Sequence, residues 1–250
     1  MNKKFLLKFL NKFVLFRIDY IIAVSPVLKE NIEEMGVPRE KVRYIPNGVD
    51  VDEFSPPSSN PPAPHRLLWV GRMSVEKGLH ILIEAMREVL REFPHAQLTL
   101  VGDGPEKSTI EQLIKEYQLE KHVHLEGLCS HQEVSRYFKR AHVFVLPSLR
   151  EGFPLVVLEA LASGVPCIAS NVGGLKAVVE DGVNGYLVSP SNMKELSLKV
   201  IELLNNPDVL KEMGESARNT IADHYSWGSI ADRTLDIYQQ DMAGRNGKPQ

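Results

Sequence analysis

Past residue 65, short apolar runs alternate with longer stretches whose apolar positions recur every three or four residues. The short runs at 66–70 (RLLWV), 97–101 (QLTLV), 122–125, 143–146 (VFVL), 166–169 and 186–188 are predicted strands. The segments between them predict helices over 79–93, 107–118, 132–140 and 154–163, and a short one over 175–180. Three more helices, 193–204, 208–224 and 226–242, close the chain. Strands that are apolar throughout bury both faces, and strand–helix alternation builds a parallel sheet with helices on either side. The expected fold class is α/β, a Rossmann-like doubly wound parallel sheet, with Trp69 and the apolar helix stripes as core.

Ahead of residue 65 the pattern differs. Residues 19–24 (DYIIAV) read as a strand and 27–35 as a helix closed by Gly36 and Pro38. Residues 42–45 form another short extended piece, and Asn47-Gly48 a turn. Five of the ten residues 55–64 are proline, which fixes φ and removes amide donors, so this stretch reads as a semi-rigid linker. The expected division is 1–47 as the end of one α/β unit, 48–64 as linker, 65–225 as a complete second unit, and 226–250 as a final helix and tail.

Composition narrows the classes without choosing among them. With 250 residues, 43% apolar and 24% charged, the chain matches an ordinary globular protein and excludes a disordered, collagenous or disulfide-stapled one. Its 29 basic and 32 acidic side chains nearly cancel, so no overall field draws it to nucleic acid. Cys129 and Cys167 are too few for a disulfide framework or a zinc site and suggest a reducing, cytoplasmic setting. No uninterrupted apolar run reaches the length of a membrane span. Residues 1–16 (MNKKFLLKFLNKFVLF) place lysines among phenylalanines and leucines. They fit a basic helix lying peripherally on the inner face of a membrane, or a helix packed against neighbouring protein. His122 and His124 share one strand face but lack a third metal ligand.

Two loops carry candidate chemistry. Gly71-Arg72-Met73-Ser74-Val75-Glu76-Lys77-Gly78 follows a predicted strand and opens a helix, where doubly wound sheets bind ligands. Gly71 lets a ligand approach the backbone. Arg72 and Lys77 suit phosphate oxygens, one as a fork and the other as a point charge. The competing reading is a solvated loop whose cations pair with Glu76. The second loop runs from Pro147-Ser148 through Glu151-Gly152-Phe153-Pro154 into Leu155, Val156 and Glu159. Pro154 suits a first helical turn, which leaves the Leu155 and Val156 amides facing outward as an anion site. Glu159, about one and a half turns into that helix, could accept both hydroxyls of a ribose, and Glu151 the hydroxyls of another sugar. Each glutamate alone reads as an ordinary solvated charge.

Taken together, G-R-x-x-x-E-K-G, V-G-D-G-P (101–105), P-S-x-x-E-G-F-P-L-V-V-L-E-A, N-V-G-G (171–174) and D-G-x-N-G-Y-L-V (181–188) closely resemble family 4 retaining glycosyltransferases of the GT-B fold. V-S-P (24–26) and Y-I-P-N-G-V-D (44–50) resemble the same family where its first domain ends and the linker begins. The resemblance runs from about residue 19 to 238, and implies the C-terminal half of a GT-B fold. Arg72, Lys77 and Glu151 would be catalytic, the cations stabilising the leaving diphosphate. Gly71, Leu128, Phe153, Leu155, Val156 and Glu159 would join them in binding the donor. Leu128 would lie against the base, Glu159 on the ribose and Glu151 on the transferred sugar. Gly173 and Gly174 would form a tight turn. The implied reaction moves a sugar from a UDP- or GDP-sugar, without a metal or other cofactor, to a glycan, lipid or polysaccharide precursor, with retention. Only about 47 residues precede the Asn47-Gly48 turn, so most of an acceptor domain is expected to come from elsewhere, either a separate acceptor-domain chain or a longer gene product. The final helix would cross back towards that half. Phe5, Phe9, Phe13, Trp227, Ile230 and Leu235 are expected to be exposed. A non-catalytic nucleotide-sugar-binding module and a sugar-nucleotide epimerase of the same two-domain type remain as alternatives.

Overall fold

The computed structural model describes residues 17–57 and 65–246. The expectations for 1–16, including Phe5, Phe9 and Phe13, lie outside them. Strand β1 (Ile21–Ala23), helix α1 (Pro26–Glu34) and strand β2 (Val42–Tyr44) come first. Ser25 caps α1 by accepting the Leu28 N–H at 3.2 Å, and proline occupies its first position. The two strands pair in parallel, Ile21 opposite Val42, over a small cluster of Ala23, Ile32, Val37 and Val42.

The remaining strands are β3 (Arg66–Val70), β4 (Gln97–Val101), β5 (Val123–Gly127), β6 (Val143–Leu146), β7 (Cys167–Ser170) and β8 (Gly185–Val188). They form one parallel sheet in the order β5-β4-β3-β6-β7-β8. The helices are α2 (Leu79–Glu92), α3 (Lys107–Glu116), α4 (His131–Phe138), α5 (Leu155–Ala162), α6 (Met193–Leu204), α7 (Pro207–His224) and α8 (Trp227–Asn246). Leu67, Leu68 and Trp69 are consecutive and all buried, so helices cover both faces of β3, as its unbroken apolar run requires. α2 packs on α6 and α5 on α7.

Three elements depart from the sequence pattern. β5, at the sheet edge, alternates buried and exposed positions and runs on to Gly127. The helix expected over 175–180 is instead a 3-10 turn, Gly173–Ala177, entered through Gly173 at φ +51°. Ile230 is buried at 7% exposure, whereas Trp227 and Leu235 are exposed as expected. α8 starts from a bridge between Val49 and Ser226, so the inward side of its first turn is covered by the chain that follows β2. Farther along α8, Arg233 Nη2 donates to the Tyr44 carbonyl at 3.2 Å, which ties the helix to β2. Among the described residues no helix is long and apolar enough to cross a membrane.

The strand order places the site. The chain winds from β3 outward to β4 and β5, then returns to the other side of β3 with β6. The loops leaving β3 and β6 therefore diverge at the carboxyl ends of neighbouring strands, the crevice where such sheets bind ligands.

Candidate functional site

The 71–78 and 147–154 loops meet in this crevice. Leu149 N–H donates to the Glu76 carbonyl at 2.7 Å, and Gly78, at φ +64°, sits so close to Pro147 that a Cβ would overlap its carbonyl oxygen. Lys77 Nζ donates to Glu151 Oε1 at 2.6 Å, and the buried Ser148 hydroxyl donates to the same oxygen at 2.7 Å. The Glu151 side chain keeps 7% of its exposure and that of Lys77 keeps 21%. The lysine thus pairs across the crevice with Glu151, not along its own loop with Glu76. Glu151 is also not a solvated charge. An ammonium has three donors, so two of those on Lys77 remain for other acceptors. Both of these bonds end on Glu151 Oε1, which leaves Oε2 open among the described residues.

The Glu151 loop rests on the turn that follows β7. A Cβ on Gly173 would overlap the Glu151 carbonyl oxygen, and one on Gly174 the Gly152 carbonyl oxygen. These glycines do more than turn the chain, because their bare backbone is the floor on which Glu151 and Gly152 lie.

Arg72 opens on the other side of β3. It is exposed and, among the described residues, has no carboxylate within ion-pair distance. With Gly71, Asp103, Gly104 and Leu128 it lines an open cleft of about 530 Å³. Leu128 directly follows β5 and is 82% exposed, an apolar platform on the wall of this cleft. The Asp103 carboxylate accepts the Gly104 N–H at 2.6 Å and Lys107 Nζ at 3.2 Å, which together hold it below the usual carboxylate range. A larger cavity of about 680 Å³ lies at the opposite, amino end of the sheet, beside His65, His142 and Pro166. It is bordered by none of the loop residues singled out above.

α5 begins after Pro154, whose carbonyl accepts the Val157 N–H at 3.1 Å. The Leu155 and Val156 amides precede that first internal bond and find no acceptor among the described residues. Leu155 is exposed and Val156 half-buried, so this helix start borders the crevice. Phe153 is half-buried against the main core. Glu159 keeps 13% of its side-chain exposure, and burial raises its carboxyl above the usual range.

Glu159 has a partner that the sequence did not announce. His131 Nε2 lies 3.0 Å from Glu159 Oε1, and His131 Nδ1 lies 3.2 Å from Glu53 Oε2. The sequence carried one relevant signal, Ser130-x-x-Glu133, a capping box that starts α4 at His131. His122 and His124 have ordinary partners, the Ala96 carbonyl and the Gln97 side chain. Asp50-Val51-Asp52 is a D-x-D string, of the kind that can hold a metal. Asp50 Oδ1, however, accepts the N–H groups of Asp52 and Glu53 at 3.0 Å each and so closes its own turn.

Against known proteins, residues 50–220 match the family model described as glycosyl transferases group 1, and residues 1–53 match that of glycosyltransferase family 4. Glycogen synthase of Mycobacterium tuberculosis is 30% identical over 234 residues, covering 93% of this chain and 56% of that protein. Alpha-D-kanosaminyltransferase of Streptomyces kanamyceticus is 33% identical over 174 residues, 70% of this chain and 45% of that one. The chain thus spans about half the length of these relatives. Among solved structures, sucrose-phosphate synthase from Thermosynechococcus elongatus superposes with a TM-score of 0.81 at 30% identity, covering 95% of this chain and 62% of that one. HepE of Anabaena, solved in complex with UDP, superposes with a TM-score of 0.85 over 93% of this chain and 67% of its own, at 22% identity.

Proposed function

The chain belongs to the group 1 glycosyl transferases, of GT-B fold, and from that membership we propose that its crevice binds a nucleoside diphosphate sugar and serves transfer of the sugar to an acceptor. The observation that carries this reading is the meeting of the 71–78 loop with the 147–155 segment across the β3–β6 switch point. That meeting brings Lys77 to the 147–155 segment at the carboxyl rim of the sheet, the rim on which Arg72 stands on the β4 side of β3.

The chemistry follows from charge. Breaking the anomeric C–O bond moves negative charge onto the departing diphosphate and positive charge onto the sugar. Cations and helix-end amides fixed beforehand interact more strongly with that charge than with the intact donor, which is what catalysis requires. Arg72, with no ion-paired carboxylate among the described residues, offers its fork to the diphosphate. Lys77 keeps one bond to Glu151 and turns its other donors to phosphate oxygens. Glu151 Oε2 accepts from a hydroxyl of the transferred sugar, Leu128 supports the base, and Glu159 takes the ribose hydroxyls. No metal is assigned to the site. Retention of configuration rests on the family resemblance alone, and so does an acceptor such as a glycan or lipid.

Arg72→Ala will weaken binding of UDP or GDP more than tenfold, because a hydrogen bond to a charged group contributes about 1.5–3 kcal/mol. Calorimetric titration of the two proteins side by side checks this, and equal affinities would take Arg72 out of the site. Release of free sugar or its transfer from a UDP- or GDP-sugar panel separates an enzyme from a module that only binds.

A further inference from the structure

His131 joins two carboxylates brought from distant parts of the chain. Glu159 stands on α5, and Glu53 in the turn that follows β2, on the segment leading from the small sheet to the large one. The imidazole is held edge-on against the buried Phe54 ring, with centroids 4.9 Å apart. Phe54 is anchored in turn by Arg218, whose Nη1 donates to the Val51, Phe54 and Ala162 carbonyls. The ring is therefore set in place by both the linker turn and the end of α5.

The charges around it are few. Asp50, in the same turn as Glu53, feels the charge of His131. Glu133, on its own helix, is turned back to the Ser130 N–H and hydroxyl at 2.8 and 2.7 Å. Glu53 and Glu159 are the acids bonded to the ring. Neutral imidazole carries one N–H and can donate to only one of them, whereas imidazolium donates to both. Among the described residues only Glu159 Oε1 is engaged, so Oε2 remains for a ligand.

We propose that His131 is a positioning residue for a nucleotide ribose: it fixes the Glu159 carboxylate by one oxygen, leaves the other for the sugar hydroxyls, and ties that grip through Glu53 to the linker. The proposal rests on the ribose role given to Glu159 above. Burial alone would lower the His131 value, but the bond and charge of Glu159, and then of Glu53, outweigh it and raise it above 6.5. The doubly donating form therefore prevails at low pH. The contribution of the bridge is complete below about pH 6.5 and is lost as pH climbs through the raised folded value.

The test compares a ribonucleotide with its 2′-deoxy analogue. UDP, GDP and ADP are titrated calorimetrically, and the tightest is carried forward with its deoxy form. The wild type should prefer the ribo form by ~10-fold or more, as loss of a bond to a carboxylate implies. H131A should cut that preference to a few-fold while leaving deoxynucleotide affinity unchanged. The wild-type preference should shrink as pH rises through the His131 midpoint. The ratio cancels titration of the diphosphate, which both analogues share. E53Q should move the midpoint to lower pH, both in the binding ratio and in the His131 ring-nitrogen shifts read by NMR without ligand. If E159Q abolishes the ribo preference and H131A keeps it whole, the positioning role is overturned and the ribose role of Glu159 stands. If E159Q itself keeps the preference, the ribose reading falls and this proposal with it. Binding of none of the three nucleotides removes the donor reading altogether. A His131 midpoint that E53Q and E159Q leave unmoved shows that the bridge does not form in solution.

Discussion

Lys77→Met will cost the protein both thermal stability and its hold on a nucleoside diphosphate, and the loss of stability will exceed that of Glu151→Gln. Glu151 is the more deeply buried partner, so removing the ammonium strands its carboxylate away from water with only the Ser148 hydroxyl for company. Breaking a fully buried pair from one side costs about 3–5 kcal/mol. Lys77 is 21% exposed, which brings the expectation to about 2 kcal/mol. For a chain of this length that is a fall of about 4–8 °C in Tm. Glu151→Gln keeps an acceptor for Ser148 and leaves the lysine free to turn to solvent, so its cost should be smaller. Affinity for UDP or GDP should drop more than tenfold in Lys77→Met, as one charge-assisted bond implies. Thermal melts and calorimetry on the same preparations check both, and a Lys77→Met protein that melts with the wild type would show that the pair contributes nothing.

The second large effect concerns a residue with no side chain. Gly173→Ala should destabilise by about 3 kcal/mol. Part of that is the cost of a Cβ at φ +51°, and the rest is overlap with the Glu151 carbonyl, which moves the 151–152 loop. Gly182→Ala is the control. That glycine lies at φ +77° with nothing within 4 Å of where its Cβ would stand, so it carries the backbone strain alone. The difference in Tm between the two variants isolates the overlap. Nucleotide affinity should fall in Gly173→Ala and hold in Gly182→Ala, although neither residue has a side chain to offer a ligand. Equal behaviour of the pair would mean that the glycine turn does not support the site.

The sequence revealed the central strands best. The runs at 66–70, 97–101 and 143–146 coincide with β3, β4 and β6 because these central strands are mostly buried and apolar, with the half-buried Arg66, Gln97 and Thr99 as their few polar positions. At the sheet edge this constraint relaxes, and the bounds of β5 shifted with it. The glycine turn at 173–174 is expected from the sequence, but the short helix over 175–180 is a 3-10 turn over 173–177, because apolar spacing does not report the backbone angle at which Gly173 starts it. In the crevice the residue types were legible and their pairings were not. Lys77 and Glu151 are 74 positions apart, and His131 and Glu53 are 78. The first pair meets because β6 returns beside β3 and the second because α4 packs against β3, adjacencies that no local pattern encodes. Ile230 failed for the same reason, since its cover comes from the chain near Val49.

That return of β6 to β3 also sets a timetable. β3 can pair with β4 and β4 with β5 once residue 127 has been synthesised, and these are contacts between neighbours in the chain. The β3–β6 pairing closes a loop of more than 70 residues and adds the slow, non-local step. Until it closes, Lys77 has no counter-ion and the crevice has only one wall. A nascent or partly refolded chain should therefore acquire much of its helical signal before it can capture a nucleotide, and ligand binding would report the last stage of assembly.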